Sequence, residues 1–390
     1  MRRVTKFLQR ILFYLQPVEI TKKIIKIILI SRDVLLNRIT HYPSTVASFE
    51  NKFSDYIGVK YGLTFCNGTS SIEAALFALG VSKGDEVIVP SCTFHASIDP
   101  IVNIGARPIF ADVGYGGVIV TADEVKTKIT SKTKCVIVVH LFGYVVDMDE
   151  ILKIIKEHDI TLIEDVSHAH GAKCKNGMAG SYGDIGCFSL QGGKAIAAGE
   201  GGVAVTNNKN LMARMSMYGH FNRHNNIFSG DDKVYFDTGI GHKMRAHPLG
   251  ITLANVDLIF NNYLNKKMKK NEIKIKQILK KIKGVNVFES TPDCESGGFF
   301  GGIPLMIDSK IQDYEYIVNC FNDFGFNLSQ YPFLPHHKMD VYNKKELYPL
   351  AHTEELIDNL FLLDRRILLM FTIVEKIKLN MILRRLNENT

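Results

Sequence analysis

From residue 62 to residue 207 the chain alternates short apolar runs with longer amphipathic ones. The runs "GLTFCN" (62–67), "DEVIVPS" (85–91), "RPIFADV" (107–113), "KCVIVVHLFGY" (134–144), "ITLIEDVSHAHGA" (160–172), "GDIGCFSL" (183–190) and "GGVAVTN" (201–207) carry short apolar stretches, several rich in Val and Ile. Each reads as a strand. Segments such as "TSSIEAALFALG", closed by Gly80, and "MDEILKIIKEH" carry the helical period instead. This alternation leaves few folds open. Parallel strands need a crossover between them, helices then cover both faces of the sheet, and ligands collect beyond the carboxyl ends of the strands. The fold class is therefore α/β with a largely parallel sheet.

At 390 residues, 46% hydrophobic and 22% charged, the chain can bury one large core and a smaller one. The charged helical stretch "LNKKMKKNEIKIKQILKKI" (264–282) is expected to lead into the smaller unit. The expected division is an arm over 1–40, a large domain over 41–262 and a small one over 263–390. Seven cysteines are scattered without a CxxC pair or a Cys/His cluster. They are expected to be unpaired thiols of a reducing cytosol, with no structural zinc and no metal in the site.

The net charge of +7 resides entirely in residues 1–40, which hold nine Lys or Arg and two Asp or Glu. The rest of the chain is balanced, which argues against nucleic-acid binding. In the arm, Val4, Phe7, Leu8, Ile11, Leu12 and Leu15 follow helical spacing, with Arg2, Arg3, Lys6 and Arg10 off that stripe. The run "KKIIKIILI" after Pro17 is too short to span a bilayer, and no signal-peptide cleavage site precedes it. Two readings of the arm follow. It packs on the body or on a partner subunit, or it lies on an anionic membrane surface as a peripheral contact.

Three strand ends carry candidate chemistry. In "NGTSS" (67–71), Gly68 permits close backbone approach and Thr69 and Ser70 sit where a helix begins, an arrangement suited to phosphate and equally to a plain helix cap. In "LIEDVSHAHGA", Asp165 ends an apolar run, where a carboxylate needs a cation or hydrogen bonds, either from a following helix or from a protonated ligand nitrogen. In "SLQGGKAIAAGEGG" (189–202), Ser189 can reach an anion. Lys194 stands among Gly and Ala, where burial would lower its pKa and make the amine reactive towards carbonyls. A phosphate cradle, a carboxylate and a carbonyl-reactive lysine are together the handles that pyridoxal 5′-phosphate requires.

The ordered motifs "FENKFSDYIGVKYGLTFCNGTSSIEAAL", "GDEVIVPSCTFHASIDPIVNIGARPIFADV", "VIVVHLFGYVVDMDEI", "LIEDVSHAHGAKCKNGMAGSYGDIGCFSL" and "GGKAIAAGEGGVAVTN" resemble the DegT/DnrJ/EryC1/StrS family of sugar aminotransferases. The resemblance covers about residues 45–255 and continues more weakly to about 360. It implies the fold-type-I architecture of pyridoxal-phosphate transferases: a mostly parallel seven-stranded sheet sandwiched by helices, plus a small C-terminal α/β domain. It implies that Lys194 carries the cofactor aldehyde, that Asp165 pairs with its ring nitrogen, and that Gly68, Thr69, Ser70 and Ser189 hold its phosphate. Phe94 would stack on the ring. His168 stands where the family usually has Gln. Lys243 of "GHKMRAHPLG" takes the place of an Asn that reaches the phosphate of the neighbouring subunit, so a homodimer with shared sites is implied. His336 and His337 of "QYPFLPHHK" fall in the family's substrate region. The expected reaction takes an amino group from glutamate or glutamine to a keto sugar, nucleotide-linked, for amino-sugar and surface-polysaccharide synthesis. The alternatives are a dehydratase or lyase on the same fold, a cyclitol aminotransferase, and a non-catalytic scaffold.

Overall fold

The computed structural model describes residues 16–39, 43–220, 242–308, 310, 313–342 and 349–388. The apolar stripe expected at residues 4–15 lies outside them. Helices α1 (Pro17–Leu35) and α2 (Ser44–Ile57) come first, followed by α3 (Gly68–Ala78), α4 (Met148–His158), the long α5 (Pro248–Leu279), α6 (Tyr314–Asp323) and α7 (Ile373–Asn387), among shorter ones.

The seven expected strands all form. They are β1 (Tyr61–Phe65), β2 (Glu86–Pro90), β3 (Arg107–Ala111), β4 (Thr133–Val139), β5 (Thr161–Asp165), β6 (Ile185–Ser189) and β7 (Gly202–Thr206). They make one sheet in the order β1-β7-β6-β5-β4-β2-β3. β7 pairs antiparallel with both of its neighbours, and the remaining pairs are parallel. Alternate residues of β4 enter different cores. Cys135, Ile137 and Val139 pack with Ile72 and Leu76 of α3. Val136 and Val138 pack with Phe49 and Phe53 of α2 and Ile151 and Ile155 of α4. That period-two division is why the strands read as continuous apolar runs: both faces are covered.

A second sheet, all antiparallel, is built from β8 (Val285–Val287), β9 (Ile303–Ile307), β10 (Leu328–Gln330) and β11 (Leu360–Leu363), in the order β8-β9-β11-β10. It shares a third core with α6, α7 and the end of α5. The helix expected at 264–282 begins much earlier. His247 caps it through Leu249 N–H and Pro248 occupies its first turn, so α5 runs unbroken past residue 262 and joins both units.

Two further points differ from the reading of the sequence or go beyond it. Cys174 and Cys294 form a disulfide between two short paired strands, Lys173–Cys174 and Cys294–Glu295. Spacing could not show this, because the two residues are neighbours only across the sheet register; Cys66, Cys92, Cys135, Cys187 and Cys320 are free thiols. The described part of the arm, α1, packs along α5 with its charged side inward. Lys22 and Lys26 each place Nζ 2.9 Å from an oxygen of Asp257, and Asp33 accepts from Thr252 Oγ1 at 2.7 Å.

Candidate active site

A cavity of about 460 Å³ opens beyond the carboxyl ends of the sheet strands. Its geometry follows from tight crossings at those ends. A Cβ added to Gly68 would lie 2.9 Å from Ser189 Cβ, and one added to Gly202 would lie 2.2 Å from Asn67 O. Only glycine lets the β1–α3 turn, the end of β6 and the start of β7 meet this closely. Asn67 caps α3 by accepting from Ser70 N–H at 2.7 Å, while the first-turn amides of Gly68 and Thr69 have no acceptor within the helix. Those amides, Thr69 and Ser189 edge the cavity and form its anion-binding end.

Lys194 projects from the β6–β7 loop. Backbone bonds close that loop, with Ala198 N–H donating to Leu190 O at 2.7 Å and Gly192 N–H to Gly199 O at 2.8 Å. Two buried side chains pin it from outside. His170 Nδ1 accepts from Ile196 N–H and Asp257 Oδ2 from Ala197 N–H, both at 3.2 Å. The Lys194 Nζ sits 3.4 Å from the ring centroid of Phe300. Burial pulls the amine down to about 7, against the attraction of Asp165 and with the help of repulsion from Arg365.

Asp165 is buried at the end of β5 in the same cavity. Its Oδ2 accepts from Ser97 Oγ at 2.7 Å and its Oδ1 from Ser167 N–H at 3.0 Å. Ser97 spends its proton on Asp165, so Thr93 Oγ1, 2.9 Å away, donates to Ser97. The carboxylate is thus oriented from two sides and keeps acceptor capacity towards the cavity. His168 is buried beside Phe300, with ring centroids 4.5 Å apart. Its Nδ1 accepts a long bond from Phe142 N–H at 3.5 Å, which leaves the ring proton on Nε2. Burial, then the charges of Lys194 and His170, hold its pKa well below the usual imidazole value, so the ring is neutral. Phe94 is part-exposed at the rim, edge-on to Phe333 at 5.5 Å.

The cavity therefore brings together Gly68, Thr69, Phe94, Asp165, His168, Ser189 and Lys194. Ser70 is not on its wall: its Oγ donates to Asn67 Oδ1 at 2.8 Å and serves the cap. Lys243 is exposed and stands outside the cavity of its own chain, paired in a short bridge with His220. His336 and His337 are buried against Ser91, the second of them also bonded to Glu354 at 3.1 Å, and they tie the 331–338 segment to the end of β2 rather than facing the cavity. Sequence reasoning passed over Phe300, Ser97, Tyr331 and Phe333. The "GGFFGG" stretch (297–302) was the available signal for Phe300, since paired glycines flanking two aromatics mark a tight backbone crossing.

Comparison with known proteins gives a consistent picture. The model of the DegT/DnrJ/EryC1/StrS aminotransferase family matches residues 28–375. A GDP-perosamine synthase of Escherichia coli O157:H7 is 44% identical over 169 residues, 43% of this chain and 46% of that protein. An L-glutamine:2-deoxy-scyllo-inosose aminotransferase of Streptomyces kanamyceticus is 39% identical over 167 residues, 43% of this chain and 39% of that protein. The chain thus spans about half the length, or less, of the curated relatives it matches. Among solved structures, the aminotransferase from Psychrobacter cryohalolentis superposes with a TM-score of 0.78 at 25% identity, covering 86% of this chain and 90% of that one.

Proposed function

The chain belongs to the DegT/DnrJ/EryC1/StrS aminotransferase family, and from that premise we propose that it moves an amino group from glutamate or glutamine to a keto sugar carried on a nucleotide. The cofactor of the family is pyridoxal 5′-phosphate. The residues present fit it: a cradle that any Cβ on Gly68 would fill, a carboxylate fixed by Ser97 and Ser167, and an amine brought to about 7. When bound, the cofactor supplies an electron sink through its protonated ring.

Each side chain then has a task. Lys194 would hold the cofactor's aldehyde, and its amine, when free, would take up the proton of the donor carbon and pass it on. Asp165 would keep the ring nitrogen protonated. The first-turn amides of α3, Thr69 and Ser189 take the phosphate. Phe94, at the rim of the cavity, would stack on the ring, and neutral His168, beside Phe300 in the same cavity, would offer its Nε2–H. Lys243 would reach the phosphate of a second copy, so the working unit is a homodimer. The observation that carries the reading is the part-buried Lys194 amine, lowered to about 7, in one cavity with Asp165.

The test is an absorption spectrum with pyridoxal phosphate, repeated on Lys194→Ala. Wild type should show a visible band that bleaches with glutamate or glutamine, with a keto acid formed and the keto sugar aminated in a ping-pong pattern. Nucleotide-linked keto sugars and keto cyclitols are offered as parallel acceptors. A band that neither donor bleaches would sink the proposal.

A further inference from the structure

Helix α1 is inside out. Lys22 and Asp33 are buried and Lys22 and Lys26 grip Asp257, while Lys23 and Arg32 stay exposed. Val18, Ile25, Leu29 and Ile30 are part-buried, but one stripe of aliphatic residues faces outward. Ile24, Ile27, Ile28 and Leu35 are 53%, 66%, 59% and 83% exposed, and Ile20 and Val34 continue the same stripe. A helix lying on a water-soluble body shows the reverse arrangement. The orientation is locked, because rolling the stripe inward would break both ion pairs to Asp257 and strip Asp33 of its bonds from Thr45 and Thr252. A contiguous aliphatic stripe held outward in this way marks a surface that something covers.

We propose that this face of α1 docks on an anionic lipid membrane, with its aliphatic side chains laid into the interface. The charge pattern selects that occupant. All of the net positive charge lies in residues 1–40; Lys22 and Lys26 turn inward to Asp257 and Arg32 pairs with Asp33, so the excess left for a membrane lies chiefly in the sequence before α1. Basic segments beside an apolar stripe are drawn to anionic headgroups. The chain preceding α1 repeats the combination in sequence, with Arg2, Arg3, Lys6 and Arg10 beside Phe7, Leu8, Ile11 and Leu12. Among the described residues no helix is long and apolar enough to cross a membrane, so contact is at the surface. The inference is independent of the aminotransferase reading.

The test uses the full chain loaded with pyridoxal phosphate, sedimented with vesicles of phosphatidylcholine alone or mixed with phosphatidylglycerol. The comparison variant combines Ile24→Glu, Ile27→Glu and Ile28→Glu. These side chains are exposed, so the fold should hold, and far-ultraviolet circular dichroism checks it whatever the cofactor does. Wild type should bind the anionic vesicles, less so as salt rises, and the variant should lose about tenfold or more of that binding. Equal binding by wild type and variant would overturn the proposal. So would wild type that stays in the supernatant while the variant falls from dimer to monomer by light scattering, which would assign the face to a second copy.

Discussion

Lys194 owes its chemistry to its surroundings. With its amine lowered to about 7 from an ordinary 10.5, the folded chain holds it neutral across that window while the unfolded chain keeps it protonated. The unfolded state therefore binds more protons there, and the cofactor-free protein should grow more stable as pH rises through the window. Lys194→Met should be more stable than wild type at its lower end, with the gain shrinking towards its upper end, as urea midpoints at two pH values will show. Ser97 is the other residue to test. Ser97→Ala leaves the buried Asp165 carboxylate without its 2.7 Å donor, and cofactor affinity should fall about tenfold, equivalent to about 1.4 kcal/mol, by fluorescence titration. Much of the site was legible because chemistry-bearing residues sit at strand ends, where an apolar run stops at a polar side chain, as at Asp165. Ser70 was not separable from Thr69, since a cap and a phosphate site ask for the same residue types and only the direction of a hydroxyl tells them apart.

At the scale of elements, the β1–α3 turn joins stability to binding. Asn67→Ala removes the cap of α3 and should cost about 1 kcal/mol of unfolding free energy, read from denaturant curves, with weaker phosphate binding alongside. The Cys174–Cys294 bond closes a separation of 120 residues, and reducing it should lower stability by about 2–4 kcal/mol in the same assay. The strands were legible because burial on both faces leaves unbroken apolar runs. The facing of α1 was not: periodicity finds a stripe but cannot say which side the protein turns towards itself. Here Asp257, on a helix distant in sequence, decides it.

For the whole molecule, the exposed position of Lys243 outside its own cavity leads to a mixing experiment. If it completes the site of a second copy, Lys194→Ala and Lys243→Ala chains are each impaired, yet a mixed dimer regains one intact site. Random mixing should then restore about a quarter of wild-type activity at limiting cofactor. No recovery would place Lys243 and Lys194 in the service of the same chain's site. The residues of one chain do not show such sharing by themselves, because the contact would be made by symmetry rather than by chain order; only the resemblance to the family raised it for Lys243.

Phe300 has a consequence for how the protein is made. The ring that lies against the Lys194 amine belongs to the segment leading into β9, and the chain leaves a ribosome from its N-terminus. Until residues 297–302 emerge, the lysine lacks that cover and behaves more nearly as an ordinary surface amine. Retention of the cofactor is therefore expected only once synthesis is well past the main sheet. A ribosome-stalled chain ending before residue 297 should leave pyridoxal phosphate unretained, and one extended through the second sheet should hold it.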